Sequence, residues 1–298
     1  MNGRRGFAIG WMGMVYLFLY LPIVVLVVYS FNASRMVTVW GGWTLHWYAA
    51  AAADGELMRA LGLSLRIALA TASMSVLLGT LAAFALTRYP RFAGKGLLNL
   101  MISVPLVMPT VVIALALLLF FVSVQKALGF AHKGFFTIFI GHTVMAMSYA
   151  TVVIQSRLKS LDRSIEEAAM DLGARPLQVF LRVTLAQISQ AMASAWLLCF
   201  SLSLDEVVIS AFLSGPGATP LPVVIFSRAR LGLSPTVNVV GAVTVYLVLA
   251  GVAVSGLLSA PRAGPCPSRP PWGSRNLGTA LRFLERSRRR LRRSNTQA

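Results

Sequence analysis

Six long apolar segments, separated by short polar stretches, constrain this chain more than any other feature of its sequence. A helix needs roughly 20 apolar residues to cross the hydrocarbon core of a bilayer, and each segment reaches that length. They lie near residues 11–31, 61–87, 97–125, 135–156, 187–213 and 236–259. The sequence therefore predicts an all-α membrane protein with six transmembrane helices.

Composition and charge agree with a membrane protein. Hydrophobic residues make up 57% of the 298 residues, and charged residues make up only 12%, about half of the soluble average. The net charge of +18 is distributed next to the apolar segments and after residue 260, which is typical of membrane topology rather than of a nucleic-acid-binding groove. We expect no nucleic-acid partner. We also expect no metal site and no cofactor, because the two cysteines and the glycines form no zinc or phosphate-binding motif.

The distribution of Lys and Arg predicts the orientation of the chain. An even number of spans places both termini on one side of the membrane. Among the segments before residue 260, Lys and Arg are more numerous on that side, which indicates that it is the cytoplasm. The first apolar segment is interpreted as an uncleaved span, since no small-residue cleavage site follows it.

The polar loop at about 158–186, between the fourth and fifth apolar segments, is the part of the chain most suited to binding another protein. Its pattern predicts two short helices with a break. Gly173 is expected to end the first helix, where a left-handed residue costs little, and Pro176 suits the first turn of the second. Such a helix pair with one apolar face favours docking into a groove. The alternative is an amphipathic loop that only lies on the bilayer.

The spacing within the polar loop resembles the EAA loop of ABC-importer membrane subunits. Glu167-Ala168-Ala169 is followed by three residues, Gly173 and nine further residues. Val183 and Ala186 stand where the family has isoleucine and proline. In that family the loop inserts into a cleft of the ATP-hydrolysing subunit and transmits its closure to the pore. The resemblance implies that the ATPase-coupling residues are Glu166, Glu167, Ala168, Ala169 and Gly173.

Two carboxylates, Asp205 and Glu206, lie inside the fifth apolar segment. An aspartate at the centre of a membrane helix costs about 2.5–3.5 kcal/mol on insertion scales, so such residues normally face water, an opposite charge or a substrate. Asp205 and Glu206 are therefore candidates for the pathway of a cationic substrate. The alternatives are an internal ion pair with Arg66 or a position near the outer interface.

Pro105 and Pro109 lie in the third apolar segment. Each proline removes a backbone donor and is expected to kink the helix. The carbonyls that are freed must find partners inside the membrane, so such kinks face other helices or a water-filled path. A gate at Pro105 and Pro109 and a purely structural kink both stay open.

Three further segments resemble the polyamine (putrescine/spermidine) branch of these permeases. They are the SLDE sequence that begins at Ser203, the SGPGAT sequence that begins at Ser214, and Arg230-Leu231-Gly232. The resemblance covers about 15–255. It implies a multi-pass protein of the bacterial inner membrane that is a subunit of a binding-protein-dependent ABC importer. The importer would move a polyamine, above all putrescine, into the cytoplasm. The chain would then be a transport subunit rather than an enzyme. The implied partners are a separate ATP-binding subunit, a second homologous permease in a heterodimer, a periplasmic polyamine-binding protein and membrane lipid.

Other functions compete with this interpretation. Permeases for ferric iron and for phosphonate compounds share the architecture and are sequence relatives, so either substrate is an alternative. A secondary transporter without an ATPase is disfavoured, because the chain has no internal repeat and carries a dedicated docking loop. We expect a transmembrane permease domain at 1–259 and a basic, disordered cytoplasmic tail at 260–298. A reading-frame change is our hypothesis for the origin of that tail.

Overall fold

The computed structural model describes residues 2–35, 39–89, 91–129, 133–231 and 235–259. Within these ranges the chain is helical, and β-pairing is limited to two isolated bridges. The predicted all-α class is confirmed. The helices are α1 (Asn2–Tyr29), α2 (His46–Ala53), α3 (Gly55–Arg88), α4 (Lys95–Val107), α5 (Thr110–Leu128), α6 (Phe135–Ser160), α7 (Ser164–Asp171), α8 (Pro176–Val179), α9 (Leu185–Asp205), α10 (Val208–Leu213), α11 (Leu221–Leu231) and α12 (Pro235–Ser259), with a π-turn at Phe180–Thr184.

Five helical stretches of the described chain are long and apolar enough to cross a membrane. A sixth apolar stretch, Pro235–Gly251, opens α12 at the predicted position of the last span. The prediction for the tail at 260–298 falls outside the described residues. The five stretches are Ile9–Tyr29, Gly55–Arg88, Thr110–Leu128, Phe135–Ser160 and Pro176–Asp205.

The segment predicted as a proline-kinked span over 97–125 is divided in two. The chain forms two helices there, α4 and α5, which are separated at Met108 and Pro109. The ring of a proline disfavours helical backbone angles at the preceding residue, and Met108 is accordingly extended, with ψ of 142°. Pro105 does not break α4, because the helix continues to Val107. One of the two prolines therefore ends a helix and the other lies within one.

The predicted span at 187–213 is also interrupted. α9 ends at Asp205, Glu206 is extended with ψ of 100°, and α10 begins at Val208. The Glu206 carboxylate accepts hydrogen bonds from the backbone N–H groups of Val208 and Ile209, both at 3.0 Å. A carboxylate that satisfies the first N–H groups of a helix favours the start of a new helix at that point. The sequence pattern treated Glu206 as a residue inside a helix, and it is a helix cap.

Helices α3, α6 and α9 pack together at the centre of the described bundle. Small side chains dominate their buried faces, which lets the helix backbones approach closely. One close approach is at Gly79 of α3, where a Cβ atom would lie 2.9 Å from the Ala150 Cβ and 3.1 Å from the Thr151 backbone nitrogen of α6. The buried small residues of this cluster include Ala72, Ala83, Ala146, Ala150 and Ala195.

The contact at Gly79 can be tested with two matched substitutions in α3. We expect Gly79→Ala to lower the thermal unfolding midpoint of the purified protein in detergent, because overpacking a well-packed interior costs about 1–3 kcal/mol. Gly62, in the same helix, has no atom within 4 Å of a Cβ position. Gly62→Ala should leave the midpoint unchanged or raise it, since Ala is favoured over Gly in a helix by about 0.5–1 kcal/mol. Equal midpoints for the two variants would contradict the close contact.

Candidate functional site

The polar loop folds as a short helix, a turn and a second helix. α7 covers Ser164–Asp171 and is followed by Gly173 with φ of +87°, whose N–H donates to the Met170 carbonyl. Pro176 occupies the first turn of α8. Gly173 and Pro176 therefore do what the sequence predicts. Asp162 precedes α7, and its carboxylate accepts a hydrogen bond from the Ser164 N–H, which keeps the pKa of Asp162 below its ordinary value.

The second helix of the loop is joined to the membrane-spanning part of the bundle without a break. α8 passes through the π-turn Phe180–Thr184 into α9, so the helical run extends from Pro176 to Asp205. Single π-turns inside longer helices are frequent at functional sites. In this chain the π-turn stands where the polar loop becomes the span. The loop is thus an extension of α9 rather than a separate unit.

Glu166 points inward and ties the polar loop to two other elements. Its Oε1 atom accepts hydrogen bonds from Arg88 at the end of α3, at 2.8 Å, and from the Thr184 hydroxyl in the π-turn, at 2.9 Å. The ion pair is largely shielded, because the Arg88 and Glu166 side chains are 8% and 13% exposed. Arg163 adds a hydrogen bond to the Arg88 carbonyl at 3.1 Å. Glu166 therefore connects the loop to α3 and to the π-turn, and its role in coupling stays a prediction.

The polar loop also carries large apolar side chains that are exposed. Leu172, next to Gly173, is 89% exposed, and Leu177 of α8 is 67% exposed. Glu167 and Ala168 are exposed in α7, and Ala169 is partly exposed. Contiguous exposed apolar side chains are typical of surfaces that contact another protein. The other large apolar residues exposed in the loop are Ile165, Met170 and Leu181.

The break between α9 and α10 separates the two carboxylates that the sequence groups together. Glu206 is committed to capping α10 through Val208 and Ile209. Asp205 is exposed at the last residue of α9 and has no hydrogen-bond or ion-pair partner within the part of the chain that the structure describes. Arg66 is exposed and pairs with neither carboxylate among those same residues. A carboxylate at the C-terminal, electronegative end of a helix favours a cation.

The two prolines of the third apolar segment lie in different surroundings. Pro105 is buried in α4 and borders a cavity of about 930 Å³, whereas Pro109 is exposed at the start of α5. The side chains around the cavity are apolar except for the Thr143 hydroxyl. A cation would gain no compensation there for its lost hydration. The cavity therefore does not suit a cationic substrate, and the role of the prolines as a gate stays a prediction.

Arg228 connects two helices at the end of α3 that is distant from the polar loop. Its guanidinium binds Asp54 at 2.8 Å and Glu56 at 2.5 Å. Asp54 also caps α3, because it accepts hydrogen bonds from the Glu56 and Leu57 N–H groups. Arg228 holds the pKa of the Asp54 carboxyl below its ordinary value. The contribution of Asp54 to stability is therefore present above the ordinary carboxyl pKa of about 4 and is lost as the pH falls through the lowered value.

The sequence did not indicate that Arg88 and Thr184 bind the polar loop. Arg88 lies 78 residues from Glu166 in the chain, and no local pattern connects them. The sequence shows a single Arg at the end of a predicted span, and membrane topology alone accounts for an Arg at that position. In the described ranges, no three His, Cys, Asp or Glu residues cluster closely enough to hold a metal ion.

Comparison with known proteins identifies a family that this chain matches. Residues 75–261 match the family model described as "Binding-protein-dependent transport system inner membrane component". The chain is 49% identical over 243 residues to "Putrescine transport system permease protein PotI" of Escherichia coli K12, covering 81% of this chain and 85% of that one. It is 36% identical over 250 residues to "Spermidine/putrescine transport system permease protein PotC" of the same strain, covering 84% and 92%.

Solved structures show the same fold at much lower sequence identity. A chain of a bacterial alginate ABC transporter, crystallised in complex with an alginate pentasaccharide-bound periplasmic protein, matches with a TM-score of 0.66. The identity is 15%, and the match covers 85% of this chain and 93% of that one. The helical arrangement is therefore shared with an ABC transporter.

The inward position of Glu166 can be tested by hydrogen exchange of the purified protein in detergent. We expect Glu166→Gln to accelerate amide exchange in α7 and the π-turn about ten-fold, because hydrogen bonds to charged groups contribute about 1.5–3 kcal/mol and 1.4 kcal/mol corresponds to ten-fold. Glu167→Gln is the matched control, since the exposed Glu167 should leave the exchange rates unchanged. The same rates in both variants would show that Glu166 does not hold the loop.

Proposed function

The chain belongs to the family of binding-protein-dependent transport system inner membrane components, the permease subunits of ABC importers, and on that premise we propose that it carries putrescine, or a closely related polyamine, into the cytoplasm. The observation that carries the proposal is the Asp205 carboxylate at the helix break, which is exposed and has no partner among the described residues. Polyamines are cations, and the relatives of this chain are named for putrescine and spermidine.

Permeases of this family perform no covalent chemistry. They work with a separate ATP-binding subunit and with a substrate-binding protein, and they are multi-pass proteins of the inner membrane. The proposal therefore assigns transport to this chain and ATP hydrolysis to its partner. It further includes a periplasmic binding protein that carries a polyamine.

The proposed contact with the ATP-binding subunit is the exposed side of the polar loop. Glu167, Ala168 and Ala169 of α7 lie beside an apolar surface that includes Leu172 and Leu177. This surface suits insertion into an apolar groove of the ATPase. Glu166 contributes indirectly, because its bonds to Arg88 and Thr184 fix the orientation of α7.

The proposed substrate pathway passes the break between α9 and α10. Asp205 supplies a negative charge there, and the last carbonyl groups of α9 point in the direction of its C-terminus. Half-helix ends and carboxylates of broken membrane helices coordinate cations in other transporters. Glu206 keeps the break open by capping α10, so its role in the pathway is to shape it rather than to bind the substrate.

The remaining parts of the proposal concern assembly and orientation. We propose a heterodimer with a second homologous permease, both termini in the cytoplasm, and a permease domain at 1–259 followed by a basic tail. The Lys and Arg distribution supports the orientation, and it places the polar loop on the side where an ATPase would be.

The substrate class is tested by uptake of labelled putrescine and spermidine into proteoliposomes that contain the whole importer with its binding protein. We expect saturable, ATP-dependent uptake of at least one of the two polyamines. Uptake of ferric iron or a phosphonate compound, without polyamine uptake by the same assembled importer, would contradict the proposal.

The role of Asp205 is tested in the same assay. We expect Asp205→Asn to raise the KM for polyamine uptake about ten-fold or more, because a charged partner contributes about 1.5–3 kcal/mol to a hydrogen bond. Glu206→Gln is the matched control. An amide oxygen can still accept from Val208 and Ile209, so this variant should change the KM less than Asp205→Asn. A larger effect of Glu206→Gln would assign the substrate contact to Glu206 instead.

The role of Gly173 follows from its backbone conformation. With φ of +87° and no atom within 4 Å of a Cβ position, a side chain at this residue would be strained but would not clash. We expect Gly173→Val to reduce transport while the protein stays inserted, because the left-handed region costs a β-branched residue about 1–2 kcal/mol. Gly173→Asn should retain more transport, since Asn tolerates that region. Intact uptake by Gly173→Val would refute the importance of this turn for coupling.

A further inference from the structure

A single buried side chain, His142 of α6, connects the two arms of the broken helix. Its Nδ1 atom lies 2.8 Å from the Ser203 hydroxyl of α9, and its Nε2 atom lies 3.0 Å from the Ser210 hydroxyl of α10. His142, Ser203 and Ser210 are 3%, 6% and 0% exposed. The three residues therefore form a polar bridge inside the bundle, directly behind the break at Glu206.

The chemistry of the bridge suits a neutral imidazole. One ring nitrogen donates a hydrogen bond and the other accepts one, while a serine hydroxyl can do either. Both ring nitrogens are therefore satisfied without a charge. Loss of the imidazole would leave two hydroxyl groups unpaired in an apolar interior, where an unpaired polar group is costly.

The other contacts between α6 and the broken helix each hold one arm. The Thr137 hydroxyl donates to the Leu213 carbonyl at the end of α10, at 3.0 Å. A Cβ at Gly141 would lie 2.6 Å from the Leu213 side chain, so α10 packs closely there. The Cys199 thiol of α9 donates to the Ala146 carbonyl at 3.3 Å. Among the hydrogen bonds of the described residues, those of His142 alone connect α6 to both arms.

The two serines flank the carboxylate of the proposed pathway. Ser203 is two residues before Asp205, and Ser210 is four residues after Glu206. The distance and rotation between the arms determine where Asp205 points, and His142 fixes both through its two bonds. A residue that only filled space could not set the spacing of two hydroxyl groups on different helices.

We propose that His142 is a positioning residue for the cation pathway, which sets the geometry of the α9–α10 break and thereby the orientation of Asp205. This inference rests on the proposed function, because it takes Asp205 as the contact for the cationic substrate. His142 itself does not touch the substrate. Its effect on transport passes through Ser203 and Ser210.

The test separates positioning from stability. His142→Leu alone leaves Ser203 and Ser210 unpaired and is expected to lower the thermal stability of the assembled importer. In the triple variant His142→Leu with Ser203→Ala and Ser210→Ala, all the unpaired groups are removed, and replacing both partners of a hydrogen bond by apolar groups is nearly neutral for stability. We expect this triple variant to regain the thermal midpoint but to keep a KM for putrescine raised by about five-fold or more, as groups in one network couple strongly.

Two controls define what counts against the proposal. Thr143→Val removes a hydroxyl of α6 whose one hydrogen bond among the described residues goes to the Phe139 carbonyl of its own helix, and it should leave the KM unchanged. If the KM of the triple variant returned to normal together with its thermal stability, His142 would have a structural role only. His142→Gln, which keeps one donor and one acceptor, should restore part of the KM.

Combination with Asp205→Asn distinguishes failure of this inference from failure of the proposed function. If Asp205→Asn leaves the KM unchanged, the cation contact at Asp205 is wrong. If Asp205→Asn raises the KM and the triple variant does not, only the positioning role is wrong. We expect the triple variant to add little to the KM of Asp205→Asn, because His142 acts through that carboxylate. Additive effects would overturn the inference.

Discussion

Every polar group of the backbone inside a bilayer must find a hydrogen-bond partner within the protein, and the architecture of this chain follows from that constraint. The spans are helices because helices pair their own N–H and C=O groups. Where a span is interrupted, other groups take over hydrogen bonds that the continuous helix would have made. At Pro109 the missing N–H needs no partner, and Met108 still donates to Val104 at 3.0 Å. At Glu206 the carboxylate takes the free N–H groups of Val208 and Ile209.

At Glu206 the free backbone groups of only one of the two helix ends are paired. This difference determines the chemistry of the break. The N–H groups of α10 are satisfied by Glu206, while none of the backbone hydrogen bonds found in the described chain closes α9 at its last turn. The break therefore combines electronegative carbonyl ends with the exposed Asp205 carboxylate. A bound cation would compensate both. The same constraint that makes a helix break costly in a membrane thus leaves this break electronegative.

Local backbone preferences were predictable from the sequence, and tertiary partners were not. Gly173 and Pro176 act through their own φ angles, which depend on residue type alone, and both occupy the predicted positions. Glu166 was predicted to take part in coupling, but its partner Arg88 lies on another helix and no periodicity connects them. His142 was not identified from the sequence for the same reason. A lone histidine in an apolar segment does not indicate which distant serines contact it in the fold. Asp205 and Glu206 were grouped because they are adjacent, and a change of backbone angle at Glu206 gives them different roles.

The continuity of the helical run from Pro176 to Asp205 suggests how the polar loop and the break communicate. α9 alone has 21 residues, which corresponds to about 30 Å. Glu166 bonds to Thr184 near the start of this run and to Arg88 of α3, so α7 is joined to both helices. α10 also packs against α6, through Thr137 and the close contact at Gly141. Because α9 ends at Asp205 and α10 is a separate helix, we infer that a displacement carried along α9 would appear at the break, with His142, which bonds to both arms, limiting its extent.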